Sequence, residues 1–386
     1  MNSRERMDVA MRLGTPDRVP VMCQLSLGHY FLNSDLDAIE IWHSTEGFGE
    51  ALITLQRRYG FDGILINLPG RDPDWRKHIV RIEEQEGSRL ITWKDGWTTV
   101  CPPDDLPHGY DPTGRKFSVT FGGIDPEQLF YFEPYDIVPK VKKTFPHWQY
   151  DTIRYVLGRV GSEVSVHGEV FSPFTQWMEL LGYSNGLMAL IDDAGKVEAC
   201  LEALTEGTIE LACGDAEAGA HAILISSAFA GAGFISRRHY TEFVLPYERK
   251  VIQGIKARYS DLPVYTHTCG AIGDRLDLIE QTGTNGIDTL DPKPLGDVDL
   301  AEAKRRLGGR LFIKGNIDPV NTLLRGTPQE CLVAARERIE IAAPGGGYIL
   351  STACSVAPHT PPENILRLRE TVEIYGRYPH KLVEAG

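Results

Sequence analysis

No stretch of about 18 apolar residues occurs in the 386-residue chain, so no membrane-spanning helix is expected. The amino-terminal MNSRERMDVAMRLG is charged and helical in pattern and lacks the apolar stretch of a signal peptide, so the expected location is cytoplasmic. Cysteine is sparse: seven residues, an odd number spread thinly, do not suit a secreted disulfide framework and fit reduced thiols that pack or bind metal. Positive charge is in deficit, with 40 Lys and Arg against 53 Asp and Glu, a formal net charge of -13. That balance disfavours nucleic acid and anionic membranes as partners, although most of the charge is read as a solvated surface. No G-x-G-x-x-G follows a predicted strand, and there is no repeat of solenoid period and no low-complexity tract. What remains is the composition of a soluble globular enzyme, 42% hydrophobic and 24% charged.

From about residue 160 onward, short apolar runs alternate with amphipathic segments, the pattern of βα units. The runs at 162–167 (SEVSVH), 222–226 (AILIS), 263–267 (PVYTH), 286–290 (GIDTL), 311–314 (LFIK) and 348–351 (YILS) read as buried parallel strands. Helical stretches at 196–210, 238–259, 272–282, 299–307 and 328–342 lie between them. Parallel strands joined by helices must be covered on both faces, leaving a doubly wound sheet or a closed barrel. The missing dinucleotide fingerprint, and polar residues gathered at strand carboxyl ends, favour one TIM (β/α)8 barrel spanning 1–386. An N-terminal helix and turn over 1–20 and a β-hairpin insertion over 77–120 complete the expected α/β fold; turns at EGS and KDG mark the insertion, read as decoration of the barrel or a lid over its mouth.

The informative residues are Tyr265-Thr266-His267-Thr268-Cys269-Gly270 and, 85 residues later, Ser351-Thr352-Ala353-Cys354-Ser355. A His and a Cys two apart at a strand end point to the same side, and Cys354 follows the last predicted strand at the same barrel mouth. Three soft ligands with an open fourth position are the arrangement of catalytic zinc. The alternative for each is a core residue, since lone Cys and His in apolar runs usually pack.

At these residues the chain resembles the superfamily of uroporphyrinogen decarboxylases and cobalamin-dependent methyltransferases. The resemblance is carried by MRLGTPDRVPV, FDGILIN, GEVFSPFT, ISRRHYTEFVLPYERKVI, HTCG, KGNIDPVNTLLRGTP and GGGYILSTACSVAPHTPPENI, in order along the chain. It implies a single TIM barrel. Decarboxylases of the family carry an arginine-rich stretch after the first strand, where this chain has CQLSLGHYF with no Arg or Lys. They also have an Asp just after the segment matching FDGILIN, replaced here by Leu68, Pro69 and Gly70, and a His where this chain has Cys354. The methyltransferase branch has the H-x-C and C ligand set that His267, Cys269 and Cys354 match.

That resemblance implies Zn2+ at those three residues and methyl transfer between a corrinoid and a small substrate, either a thiol acceptor or a methoxy or methylamine-type donor. No D-x-H-x-x-G stretch is present, so the cobalamin is expected on a separate corrinoid-binding protein. Glu169 follows a predicted strand and reads either as a fourth ligand or proton-transfer group, or as an ordinary salt-bridged Glu. His29 and Tyr30, with Phe31, Trp42 and His43, are candidates for a substrate pocket, against the plainer reading of aromatic core. Asn316 is a further candidate substrate contact, and Asp318, before Pro319, reads as a helix start. Porphyrinogen decarboxylation and a non-catalytic zinc-binding barrel are the alternatives in function.

Overall fold

The computed structural model describes residues 1–135 and 140–378. Seven parallel strands form one sheet in chain order: β1 (Gly63–Ile66), β2 (Ser165–Phe171), β3 (Ala222–Ser226), β4 (Val264–Thr268), β5 (Gly286–Thr289), β6 (Phe312–Ile317) and β7 (Tyr348–Thr352). Nearly every strand residue is buried, because helices cover the outside while the sheet curls on itself to close the inside. Closure is made by residues 20–25. Leu350 N donates to Pro20 O at 2.9 Å and Met22 N to Leu350 O at 3.0 Å on the β7 side, while Asp62 N donates to Val21 O at 2.7 Å on the β1 side. Isolated parallel bridges join Val21 to Leu350 and Leu25 to Val356, so this segment is the eighth stave of a TIM-type barrel.

The helix Ser3–Met11 plugs the amino-terminal end of the barrel. Asn2 and Glu5 form a capping box at its start, and Met7, Ala10 and Met11 pack with Met22, Leu65, Leu224, Tyr265, Phe312 and Ile349 inside the barrel. Met7 is fully buried and Met11 nearly so, each worth about 1.5–3 kcal/mol of transfer free energy. A charged hub ties this extension down. The fully buried Asp62 accepts from Arg6 at 2.7 Å, from Arg18 at 2.8 and 3.0 Å, and from Val21 N at 2.9 Å.

Two expectations need correction in detail. The helix read over 238–259 is two, Arg237–Phe243 and Leu245–Arg258, because Pro246 has no N–H to continue the ladder. The insertion is more than a hairpin: Ile79–Gln85, Ser88–Trp93, Thr98–Cys101 and His108–Tyr110 form a four-stranded antiparallel sheet. Its first turn places Glu86 and Gly87 at φ 49° and 80°, the positive pair that a two-residue hairpin loop requires. Among the described residues, no helix is long and apolar enough to cross a membrane.

Candidate metal centre

Alternation along β4 sets the first two ligands. Tyr265 lies in the barrel's interior cluster, so His267, two residues on, also points inward, and Cys269 repeats the parity just past the strand end. Gly270, at φ 79°, then turns the chain away, a conformation that suits glycine. Cys354 follows β7, three strands away round the barrel. The structure brings the three together: His267 Nε2 is 3.2 Å from Cys269 Sγ, Cys269 Sγ is 3.6 Å from Cys354 Sγ, and all three ligand atoms lie within 4.8 Å of one another. They form the one such group of His, Cys and carboxylate side chains among the described residues.

The donors fit zinc. Two sulfurs each about 2.3 Å from a tetrahedral zinc are about 3.8 Å apart, close to the separation found. His267 has its other nitrogen occupied: Nδ1 donates to Asp288 Oδ2 at 3.2 Å, which leaves Nε2 facing the thiols. Lys314 Nζ donates to both oxygens of Asp288, at 2.9 and 3.0 Å. Strand register builds this row, since β4, β5 and β6 pair His267 with Asp288 and Asp288 with Lys314. Nothing in the sequence reading singled out Asp288 or Lys314. The available signal was an Asp inside one predicted buried strand and a Lys at the end of the next.

Electrostatics at the site follow from close, buried neighbours. Burial alone would raise Asp288, yet Lys314 and His267 hold it below the usual carboxylate range. His267 is lifted to about 10, against the effect of burial, by Asp288 and by Cys354. A hydrogen bond from Cys269, helped by His267, holds Cys354 well below the ordinary thiol range, and Cys269 beside it is held well above. His267 thus lies between the Asp288 carboxylate and two thiols, negative or readily ionised groups that a divalent cation would also offset.

Glu169, on β2, is half-buried and accepts from Gln24 Nε2 at 3.4 Å. Burial raises its carboxyl to about 7, with His267 pulling the other way. Asn316, at the end of β6, donates through Nδ2 to Leu290 O at 2.8 Å, and its Oδ1 is buried without a partner. Asp291, also missed from the sequence, accepts from Gly270 N at 2.5 Å through Oδ2, and burial lifts it to about 6. Asp318 caps the turn Pro319–Leu324, accepting from Val320 N and Asn321 N at 2.8 Å, as its position before Pro319 suggests.

His29 and Tyr30 are not brought to this group. His29 is fully buried in the helix Leu27–Asn33, with Nδ1 on Pro358 O at 3.0 Å and Nε2 on Tyr59 Oη at 2.7 Å. Tyr30 packs edge-on against Phe48. His43, buried beside Trp75 and Trp93, is likewise in aromatic packing. The substrate-contact role expected of His29 gives way to packing, because both its ring nitrogens are already used, whereas the Tyr30 hydroxyl has no partner among the described residues.

Comparison with known proteins agrees with this architecture. The uroporphyrinogen decarboxylase (URO-D) family model matches residues 126–375, well over half of the chain. Methylcobamide:CoM methyltransferase MtbA of Methanosarcina acetivorans is 26% identical over 228 residues, 58% of this chain and 62% of that protein. Uroporphyrinogen decarboxylase of Picosynechococcus sp. is 28% identical over 247 residues, 62% of this chain and 65% of that protein. The chain therefore spans a little under two thirds of the length of these curated relatives. In three dimensions, a methyltransferase from Methanosarcina mazei matches with a TM-score of 0.71 at 19% identity, covering 97% of this chain and 99% of that one, which shows a shared fold. The barrel and the extent of the family match together establish that this chain belongs to the uroporphyrinogen decarboxylase family.

Proposed function

We propose that this protein is a zinc-dependent methyltransferase, moving a methyl group between a corrinoid on a partner protein and a small substrate activated at the metal. The observation that carries this reading is the convergence of His267 Nε2, Cys269 Sγ and Cys354 Sγ at the barrel mouth, with Asp288 holding the far nitrogen of the histidine. Bound zinc would supply Lewis acidity, keeping a substrate thiol as its thiolate or polarising a methoxy or amine donor. His267, Cys269 and Cys354 are the three residues that would hold it, with room for a substrate atom beside them. Glu169, raised to about 7, exchanges a proton near neutrality, giving one to a leaving oxygen or taking one from an incoming thiol. Asn316 offers the substrate an acceptor through its free Oδ1. The similarity to a methylcobamide:CoM methyltransferase supports a corrinoid protein as the partner that docks at the mouth.

Porphyrinogen decarboxylation belongs to the same family, yet the residues here offer little to a polycarboxylate. Residues 23–31 contain no Lys or Arg, and Lys314 is already paired with Asp288. The direct test is elemental analysis of protein purified without added metal, with an expected stoichiometry of about one zinc per chain. Cys269→Ala and Cys354→Ala should each lose the metal and stay folded; full occupancy in both would refute the ligand set. Loss of methylcobalamin absorbance with a thiol, or methylation of cob(I)alamin by a methoxy compound, then sets the direction of transfer. If neither corrinoid responds, with a cognate corrinoid protein also inert, the chain is a zinc-binding barrel without catalysis. Decarboxylation of uroporphyrinogen by chelator-treated protein would place it in the other branch.

A further inference from the structure

Around the metal-binding residues the strand ends present several hydrogen-bond acceptors beside an unpartnered hydroxyl, Ser351 Oγ in register with Asn316, and the orientation of the acceptors is set by the donors they already use. Gln24, on the eighth stave, points its NH2 at Glu169 Oε2, so its Oε1 must face elsewhere; that atom is buried and has no partner. Asn316, 2% exposed, spends its NH2 on Leu290 O, which likewise fixes Oδ1 as the atom left over, buried and unpartnered. Turning the Asn316 amide over would set its oxygen against the Leu290 carbonyl, which fixes its assignment. Asp291, 3% exposed, has one oxygen on Gly270 N and leaves Oδ1 buried with no partner.

His267 is the positive side chain among the charges that act most on Asp291 and Glu169. The charges acting most on Asp291 are those of Cys354, His267 and Asp318, and those acting most on Glu169 are His267, Asp288 and Glu133. Lys314, the cation nearest the ligands in register, has Asp288 between it and His267. Buried acceptors without donors cost free energy unless a ligand supplies the missing hydrogens. An anionic group such as a sulfonate or carboxylate supplies none and adds repulsion; an ammonium supplies up to three N–H donors and a positive charge.

We propose that this mouth selects a substrate bearing a protonated amine, held by Asp291, Asn316 and Gln24 while its sulfur or methyl-bearing atom faces the metal. The inference rests on the zinc methyltransferase reading and adds to it the charge of the substrate.

A matched series tests it on the zinc-loaded protein by calorimetric titration: 2-aminoethanethiol, 2-mercaptoethanol and 2-mercaptoethanesulfonate share a sulfur and a two-carbon spacer and differ only at the far end. The amine should bind at least about tenfold tighter than the alcohol, and the sulfonate more weakly than both. In Asp291→Asn the advantage of the amine over the alcohol should fall by about tenfold, with the zinc content unchanged. If the three thiols do not bind, the same order is expected of 2-methoxyethylamine, 2-methoxyethanol and 2-methoxyethanesulfonate. Tighter binding of the sulfonate, an undiminished preference for the amine in Asp291→Asn, loss of zinc from that variant, or failure of both series to bind would each overturn the inference. Failure of the underlying reading has a separate signature, the absence of zinc from the unmodified protein.

Discussion

Replacing Asp288 with asparagine probes the electrostatic frame behind the metal-binding histidine. Asp288 is 2% exposed, and its carboxylate accepts from Lys314 at 2.9 and 3.0 Å and from His267 at 3.2 Å. The amide keeps the volume and removes the charge, so Lys314, 1% exposed, becomes a buried cation without a counter-charge. Breaking a buried pair in this way costs about 3–5 kcal/mol. His267 also loses the carboxylate that orients its ring, for an expected loss of about 10–100-fold in zinc affinity. The double variant Asp288→Asn/Lys314→Met separates the two effects. With both charges gone, stability should return to within about 1 kcal/mol of the parent, because a buried pair replaced by neutral groups is often close to neutral. Zinc affinity should stay low, because methionine does nothing to orient the imidazole. Urea unfolding reads the first quantity and competition with a chromophoric chelator the second. The frame also predicts a pH dependence: Asp288 is held below its unfolded value in the folded chain, so its stabilising contribution is present above that value and lost as pH falls through the folded one. Asp288→Asn should therefore lose less stability on acidification than the parent. A single variant with parental stability and zinc affinity, or a double variant that regains full affinity, would refute the reasoning.

Other expectations follow from the same kind of argument. Asp62→Asn leaves the buried Arg18 without its carboxylate, while Arg6 keeps Asp17, and should cost about 3–5 kcal/mol by chemical denaturation, with little change in zinc content. Glu169 titrates at about 7 in the folded chain against an ordinary value of 4.5, so its carboxyl favours folding below about 4.5 and this contribution is lost as pH rises through 7. Thermal melts of the metal-free protein should show that loss, and Glu169→Gln should flatten it; an unchanged profile would mean that the carboxyl is not desolvated. His29→Leu should cost about 1–3 kcal/mol, because Pro358 O and Tyr59 Oη lose their partner, and should leave the KM for the small substrate unchanged. A raised KM at parental stability would return His29 to the binding site.

Much of the architecture was legible in the residues alone, for a physical reason. The runs AILIS, PVYTH and YILS are apolar because parallel strands are buried on both faces, and observed strands lie within a residue of them. His267 and Cys269 were legible as a pair because two-residue spacing at a strand end is a local property of the backbone. Cys354 was legible because the last strand of a closed barrel returns its loop to the same mouth. The helix break at Pro246 was local too, but the amphipathic pattern across 238–259 obscured it.

Only the tertiary structure decided what depends on register between distant segments. Residues 20–25 become the eighth stave through one isolated bridge to β7, another to Val356 just past it, and a bond from Asp62 beside β1, too short a pattern to mark a strand in advance. Asp288 meets Lys314 across 26 residues of sequence, and that pairing is made by the β5–β6 register rather than by any motif. His29 shows the converse. Its residue type and position suggested chemistry, and only the fold revealed that Pro358 and Tyr59 had already taken both its nitrogens. The sequence by itself determined which residues can bind a metal, since that is donor chemistry and local spacing; the fold decided which of them meet, since that is set by how strands pair round the barrel.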